Sequence, residues 1–265
     1  MRTTTAILTL AAGAALLAPG CSAPAPRAAP QRVVAPYDTT EGEVLWAVVP
    51  LRNESGTSVF DPLSLSDKLA AAAQEVEGVA CLPVNRTVQA MRALGMDAVR
   101  SPEDAAELAG ALGVDGLVLG SVTAWDPYDP PVVGLSLGLY ARGQRLGGRT
   151  EGLDARALGY ASTDHGTTRV SSFGGAPVAT ASLHLDARDS GVLSRVREHA
   201  AGRADPATAL GWRVYLVDMD SYASFAAHRG VSELLESEWV RLARARSEDE
   251  ASAPGSAMRR NGGGS

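Results

Sequence analysis

Apolar and polar positions along this chain change period several times, and each change marks an element. Residues 44–50, Val-Leu-Trp-Ala-Val-Val-Pro, form an uninterrupted apolar run closed by proline, the pattern of a strand buried on both faces. A turn-rich loop follows at residues 52–58. Asp61-Pro62 then supplies an N-cap and a proline at the first helical position, and Leu63, Leu65, Leu69, Ala72 and Ala73 recur on one face of the predicted helix. Residues 79–84 predict a second short strand, after which Asn85 caps a helix carrying Val88, Met91 and Leu94. Ser101-Pro102-Glu103-Asp104 repeats the start signal with an acid at the capping-box position, and this third helix runs to Gly113.

Residues 114–124 predict the most apolar strand of the mature chain, and the turn-rich residues 127–131 let residues 132–141 pair back against it. Residues 142–175 shift to Gly, Arg, Ser, Thr and Asp without periodicity and are read as a flexible insert. Residues 179–186 alternate apolar and polar, and Asp189-Ser190-Gly191 predicts a turn into a second strand at 192–197, which together make a hairpin. Pro206 opens a long helical region, with Leu210, Val214, Leu216, Val217, Tyr222, Phe225, Leu234, Leu235, Trp239 and Leu242 at helical spacing and a weak point near Gly230. The charged, then glycine-rich residues 247–265 predict a disordered tail. The order of elements implies one α/β domain over residues 44–246. It is a two- or three-layer sandwich with a mixed sheet, early strands parallel, later strands antiparallel, and C-terminal helices packed on the sheet.

The amino-terminal pattern is different in kind. A basic start at Met1-Arg2, an apolar run over residues 6–17 and small residues before Cys21 predict a secretory signal peptide over residues 1–20. The run is shorter than the roughly 20 residues that span a bilayer, and no later stretch reaches that length without charges or prolines. Residues 22–36 are rich in Ala and Pro, so residues 21–43 read as a tether.

Composition narrows the function. The chain has 265 residues, 45% hydrophobic and 20% charged, with a formal net charge of −6 and a pI near 5.3. No basic face offers itself to nucleic-acid phosphates. Lys68 is the only lysine, which removes Walker-type Gly-Lys loops and leaves no other Schiff-base candidate. His165, His184, His199 and His228 are dispersed with no metal-ligand spacing, so neither a metal nor another cofactor is expected. Cys81 reads as a small buried hydrophobe. Asp218 and Asp220 fall on different faces of a helix, which argues against paired acid/base work. Gly134-Leu135-Ser136-Leu137-Gly138 matches the G-x-S-x-G nucleophile elbow, but Pro130-Pro131 stand close before it and no helix pattern follows. Tyr215, Tyr222, Phe225 and Trp239 read as core. The candidate partner-binding loop is Trp125, Tyr128, Pro130 and Pro131, rigid groups beyond a strand end that lose little entropy on binding.

Two resemblances add to this. Leu16-Leu17-Ala18-Pro19-Gly20-Cys21 resembles the bacterial lipobox, with Ala18 and Pro19 where that motif favours Leu and a small non-proline residue. It implies lipidation of Cys21 and an envelope lipoprotein, facing the periplasm from the outer membrane rather than the inner. Residues 47–55, the Leu65-Ser66-Asp67-Lys68-Leu69 helix, and residues 109–122 resemble the α/β domain shared by the TolB amino-terminal domain and CsgG-type curli-assembly lipoproteins. That resemblance implies fold and envelope location but no catalysis; the chain lacks a propeller repeat and pore-forming hairpins. The expectation is a non-catalytic lipid-anchored envelope protein acting in assembly or as an adaptor, partnered by the membrane through Cys21 and by envelope proteins. Its rivals are an anchored serine hydrolase using Ser136 and a periplasmic module that binds a small ligand in the sheet-end crevice.

Overall fold

The computed structural model describes residues 32–142, 146 and 176–252. The signal peptide, Cys21, most of the expected insert, His165 and the end of the tail lie outside the described residues. The elements are β1 (Val44–Val48), β2 (Arg52–Asn53), α1 (Pro62–Gln74), β3 (Val79–Leu82), α2 (Val84–Ala93), α3 (Pro102–Leu112), β4 (Gly116–Asp126), β5 (Val132–Ala141), β6 (Ala179–Asp186), α4 (Ser190–Ala200), α5 (Val214–Val217) and α6 (Met219–Ser252). One mixed sheet runs β3-β1-β4-β5-β6, and β2 extends β1 along the second half of β4. β1 pairs in parallel with β3 and β4, whereas β4, β5 and β6 are successively antiparallel. The expected mixed sheet, parallel early and antiparallel later, is the observed one.

Helices cover both faces, which makes three layers over β3, β1 and β4. On one face Val44, Trp46, Val48, Val118, Leu135, Leu137 and Leu139 pack with Leu65 and Leu69 of α1 and Tyr222, Phe225 and Leu234 of α6. On the other, Ala47, Val49 and Leu117 pack with Met91 of α2 and Ala105, Leu108 and Ala109 of α3. β1 and the start of β4 are therefore apolar on both sides, which is why each reads as a continuous hydrophobic run. The α2–α3 layer stops at β4. Ser136, Thr180, Ser182 and His184 on the same side of β5 and β6 stay exposed, giving β6 its strict alternation.

Helix starts follow their local signals where a side chain can reach the first turn. Asp61 accepts from the Leu63 amide, and Ser101 with Asp104 forms a complete capping box. Gly113 ends α3 in the left-handed region at φ 68°. Asn85 is not the cap expected of it. α2 begins at Val84 behind Pro83, without a side-chain cap, so Asn85 lies inside the first turn.

Three further expectations are corrected. The predicted hairpin is a strand followed by a helix: Asp189 accepts from the Gly191 and Val192 amides, and Val192, Val196 and Ala200 recur every four residues on the buried face of α4. Six residues of apparent alternation lost to that longer period. Regular helix does not begin at Pro206; residues 201–210 form turns, a 3-10 turn covers Gly211–Arg213, and α5 follows. α6 runs unbroken through Gly230 and on to Ser252, past the expected start of the tail. The domain also begins earlier than residue 44. Val34 bridges Glu77, Ala35 and Tyr37 are buried, and Trp239 Nε1 donates to the Val34 carbonyl at 3.2 Å.

At Gly230 α6 lies close to the sheet: a Cβ there would stand 2.7 Å from Leu137 Cδ1. Gly120 is tighter still, since its Cβ would meet the Ser136 backbone carbonyl at 2.5 Å and Leu137 Cδ2 at 2.6 Å. Gly120→Ala should therefore cost about 1–3 kcal/mol, the range of overpacking. Gly110→Ala, on α3 with open space at its Cβ, should be neutral or stabilising by about 0.5–1 kcal/mol. Urea denaturation of the two variants checks this, and equal midpoints would contradict the packing described.

Candidate functional site

Because the α2–α3 layer ends at β4, a cleft of about 510 Å³ opens between the α2–α3 loop and the outward side of β4, β5 and β6. Pro50, Leu51 and Arg52 form one wall, residues 97–102 another, and Leu119, Ser121, Ser136 and Thr180 the floor. It lies beside the C-terminal end of β1, the crevice position expected for a ligand in an open α/β sheet.

Each wall is fixed by a polar contact. The Leu51 amide donates to Ser66 Oγ at 2.9 Å, and that hydroxyl donates to the Pro62 carbonyl at 2.6 Å. Ser66 is fully buried on α1, so it ties the strand-end loop to the helix beneath it. The opposite wall is held by the capping box of α3. The Arg100 and Ser101 amides donate to Asp104 Oδ2 at 2.9 and 3.1 Å, and these bonds keep the Asp104 carboxyl below the usual range. The cap satisfies the N-terminus of α3 from within the chain.

Ser136 lies on the cleft floor, in mid-strand, aligned with Ser121 of β4 and Ser182 of β5's other neighbour, β6. A nucleophile elbow instead holds its serine on a sharp strand-to-helix turn. Cys81 is buried, and burial pushes its thiol up to about 12. Asp218 and Asp220 serve different partners: Asp218 accepts from the Ser221 hydroxyl and amide at the start of α6, while Asp220 pairs with Lys68 at 2.7 Å. Tyr222 and Phe225 are core, as expected, Tyr215 is partly buried, and Trp239 is 45% exposed.

The candidate partner loop divides. Trp125 packs against Phe60, with ring centroids 4.8 Å apart. Pro131 is buried and its carbonyl accepts from the Ala187 amide, and Pro130 is half-buried. Tyr128 alone of the four projects, 78% exposed. The loop is thus a fixed mount for one tyrosine.

One grouping was not anticipated. His199 and His228, read as dispersed, are neighbours with ring centroids 4.8 Å apart. Their sequence separation hides this, because α4 and α6 meet only through the tertiary fold; the signal available was that both lie on the apolar stripes of their helices. Among the described residues no group of three or more His, Cys, Asp or Glu could hold a metal ion, and no helix is long and apolar enough to cross a membrane.

No family model and no curated protein matches the chain. Solved structures similar to it include the LpoB C-terminal domain from Salmonella enterica, at 16% identity over 41% of this chain and 74% of that one, TM-score 0.32. PelC from Paraburkholderia phytofirmans, crystallised as a dodecamer, is 15% identical over 79% and 95%, TM-score 0.35. Lipoprotein GNA1162 from Neisseria meningitidis is 16% identical over 57% and 88%, TM-score 0.34. Overlaps this loose assign no activity.

Removing the Ser66 hydroxyl should loosen the cleft from below. Ser66→Ala leaves the Leu51 amide buried without its acceptor and should cost about 1–3 kcal/mol. Chemical denaturation measures the loss, and faster amide exchange at Leu51 with unchanged exchange at Val118 locates it.

Proposed function

We propose that this protein is a non-catalytic cell-envelope lipoprotein, anchored through Cys21 and acting in assembly or as an adaptor. The supporting observation is the polarity of the domain relative to its tether. The chain enters the fold at residues 33–37, beside Glu77 and the N-terminal ends of β1 and β3. The Tyr128 loop follows the C-terminal end of β4, which is parallel to β1. Ten steps separate Gly116 from Asp126 in β4, roughly 30 Å at the strand rise. A lipid on Cys21 would therefore tether the domain by its entry pole, with Tyr128 and the cleft's Pro50–Arg52 wall at the opposite pole. Twelve steps from Cys21 to Val33 reach at most about 40 Å, which keeps the domain near the surface but free to engage a partner beyond it. The TolB amino-terminal and CsgG-type resemblance of residues 46–123 fits the same reading, as does a periplasm-facing, outer-membrane location.

The cleft favours a second reading, a module that binds a small ligand, because its floor joins the hydroxyls of Ser121, Ser136 and Thr180 to the apolar Leu119. A thermal shift produced by a soluble envelope extract, retained by the small-molecule fraction and abolished by Ser121→Trp, would favour it over the adaptor reading.

Anchoring is tested directly. Cys21→Ser should move the protein from the membrane fraction to the soluble fraction or leave it unprocessed, and a palmitate analogue should label the wild type alone. Equal labelling of the variant would end the lipoprotein reading.

A further inference from the structure

The His199–His228 contact lies in a second cleft, of about 610 Å³, roofed by α4 and α5 and floored by α1 and α6. Its charges answer one another. Arg203 Nη2 pairs with Glu75 Oε2 at 2.7 Å, joining the turn after α4 to the end of α1, and Lys68 of α1 pairs with Asp220 of α6. Glu75 Oε2 also lies 3.9 Å from His228 Nδ1. His199 is boxed in by rings, with Tyr215 edge-on at 5.3 Å, Phe225 at 5.6 Å and His228 at 4.8 Å. Its Nδ1 is buried without a hydrogen-bond partner among the described residues. The cations already have carboxylates, so the cluster lacks the unmatched charge that would call for a ligand; Asp61 and Asp67 also line the cleft, and among the described residues Glu75 is the carboxylate that comes within 4 Å of a histidine.

We propose that His199 and His228, with Arg203 and Glu75, form a proton-operated latch that holds the α4–α5 segment, residues 190–217, on α1 and α6 at neutral pH and releases it in mild acid. With both rings neutral, Arg203 and Glu75 cancel. Protonating both rings sets three cations, His199, His228 and Arg203, around the carboxylate of Glu75, with Asp61 and Asp67 farther along the same cleft wall. From α6 Arg229 adds a fourth positive charge near His228, already engaged with Glu236 at 4.0 Å. Lys68 and Asp220 cancel across the cleft, and Tyr215, the titratable group that α5 contributes, stays neutral because burial raises its pKa. Release would free the charged rings to water and separate them.

The direction follows from linkage. Burial, then the neighbouring His228 and Arg203, push His199 down to about 3; burial and Arg203 also lower His228, against the opposing pull of Glu75. A released histidine titrates near 6.5, so between that value and the lowered one the open state binds more protons than the closed state. Closure is complete above pH 6.5 and weakens as pH falls. Each pH unit below it shifts the closed-to-open ratio by up to about tenfold per linked histidine, and the upper part of that window, down to about pH 5, lies above the ordinary carboxylate range.

Amide hydrogen exchange of the purified full-length chain, corrected for intrinsic rates, at pH 7 and pH 5 tests the latch. Residues 190–217 should lose at least tenfold in protection at pH 5 while β4 is unchanged. The His199→Phe, His228→Gln double variant should remove that pH dependence. Equal protection at both pH values, or the same loss in the variant, overturns the proposal. Should the variant fail to fold, ring-proton titration of the wild type by nuclear magnetic resonance decides: a His199 ring that titrates above pH 6 in the closed domain overturns the latch, and one that stays neutral until the segment opens supports it.

Discussion

The α6 side of the sheet depends on side chains that are missing at Gly116, Gly120 and Gly230. A Cβ at Gly116 would stand 2.8 Å from the Trp46 ring, and Cβ atoms at Gly120 and Gly230 would both meet the two ends of Leu137. Trp46 and Leu137 fill the volume these glycines vacate, and α6 can then lie close enough to bury Tyr222, Phe225 and Leu234 completely. That depth is what lets Tyr222 donate to the Leu185 carbonyl at 3.0 Å and carries Glu238 into full burial, where Arg241 meets it at 2.7 Å. The buried Tyr37 of the entry segment feels the same charge: burial and then Glu238 raise its pKa. The position of the domain's first residues is thus a consequence of how closely α6 approaches β5.

Much of this was legible where one local rule acted alone. Continuous apolar runs gave β1 and β4, proline after a capping residue gave α1 and α3, and alternation gave β6, since its outer side has no helix over it. Gly113 also read correctly as the end of α3. Gly230 did not: in a helix an unpaired glycine looks like a weak point, and only the tertiary partner Leu137 turns it into a contact surface. α4 was misread because a turn signal at residues 189–191 serves equally as a helix cap, and Asp189 has two amides to satisfy whichever follows.

The sites were less legible than the fold, for a physical reason. The cleft floor brings together Leu119 and Ser121 of β4, Ser136 of β5 and Thr180 of β6, with Ser121 opposite Ser136 and Leu119 two strands from Thr180 across Gly138, and that placement is a property of register. The G-x-S-x-G match at residues 134–138 has a structural use in the same register. A Cβ at Gly134 would collide with Thr123 Oγ1, the residue left unpaired by the register shift between Val122 and Ala124. At least one glycine of that pattern answers to a bulge in β4.

The two clefts lie on opposite sides of the sheet and draw on different parts of the chain. The first is walled by Ser66-held Leu51, whose buried amide would be left unsatisfied without that hydroxyl, and by the capped α3, whose capping box sits nearer the surface. The second is roofed by α5, four residues long, and by turns that include the exposed Leu210. Its long-range polar tie to α1 is Arg203–Glu75, with Glu75 half-exposed. A surface pair of that kind contributes little by itself, so the roof is held chiefly by burial of Val192, Val196 and Ala200 and by the ring stack around His199. Chemistry placed under such a roof acts on a lightly secured part of the domain. α1 contributes to both clefts, with Ser66 on one side and Lys68 and Glu75 on the other. Arg203 meets Glu75 at the end of α1 while Ser66, nearer its start, holds the wall of the first cleft, so one helix of 13 residues is tied to both.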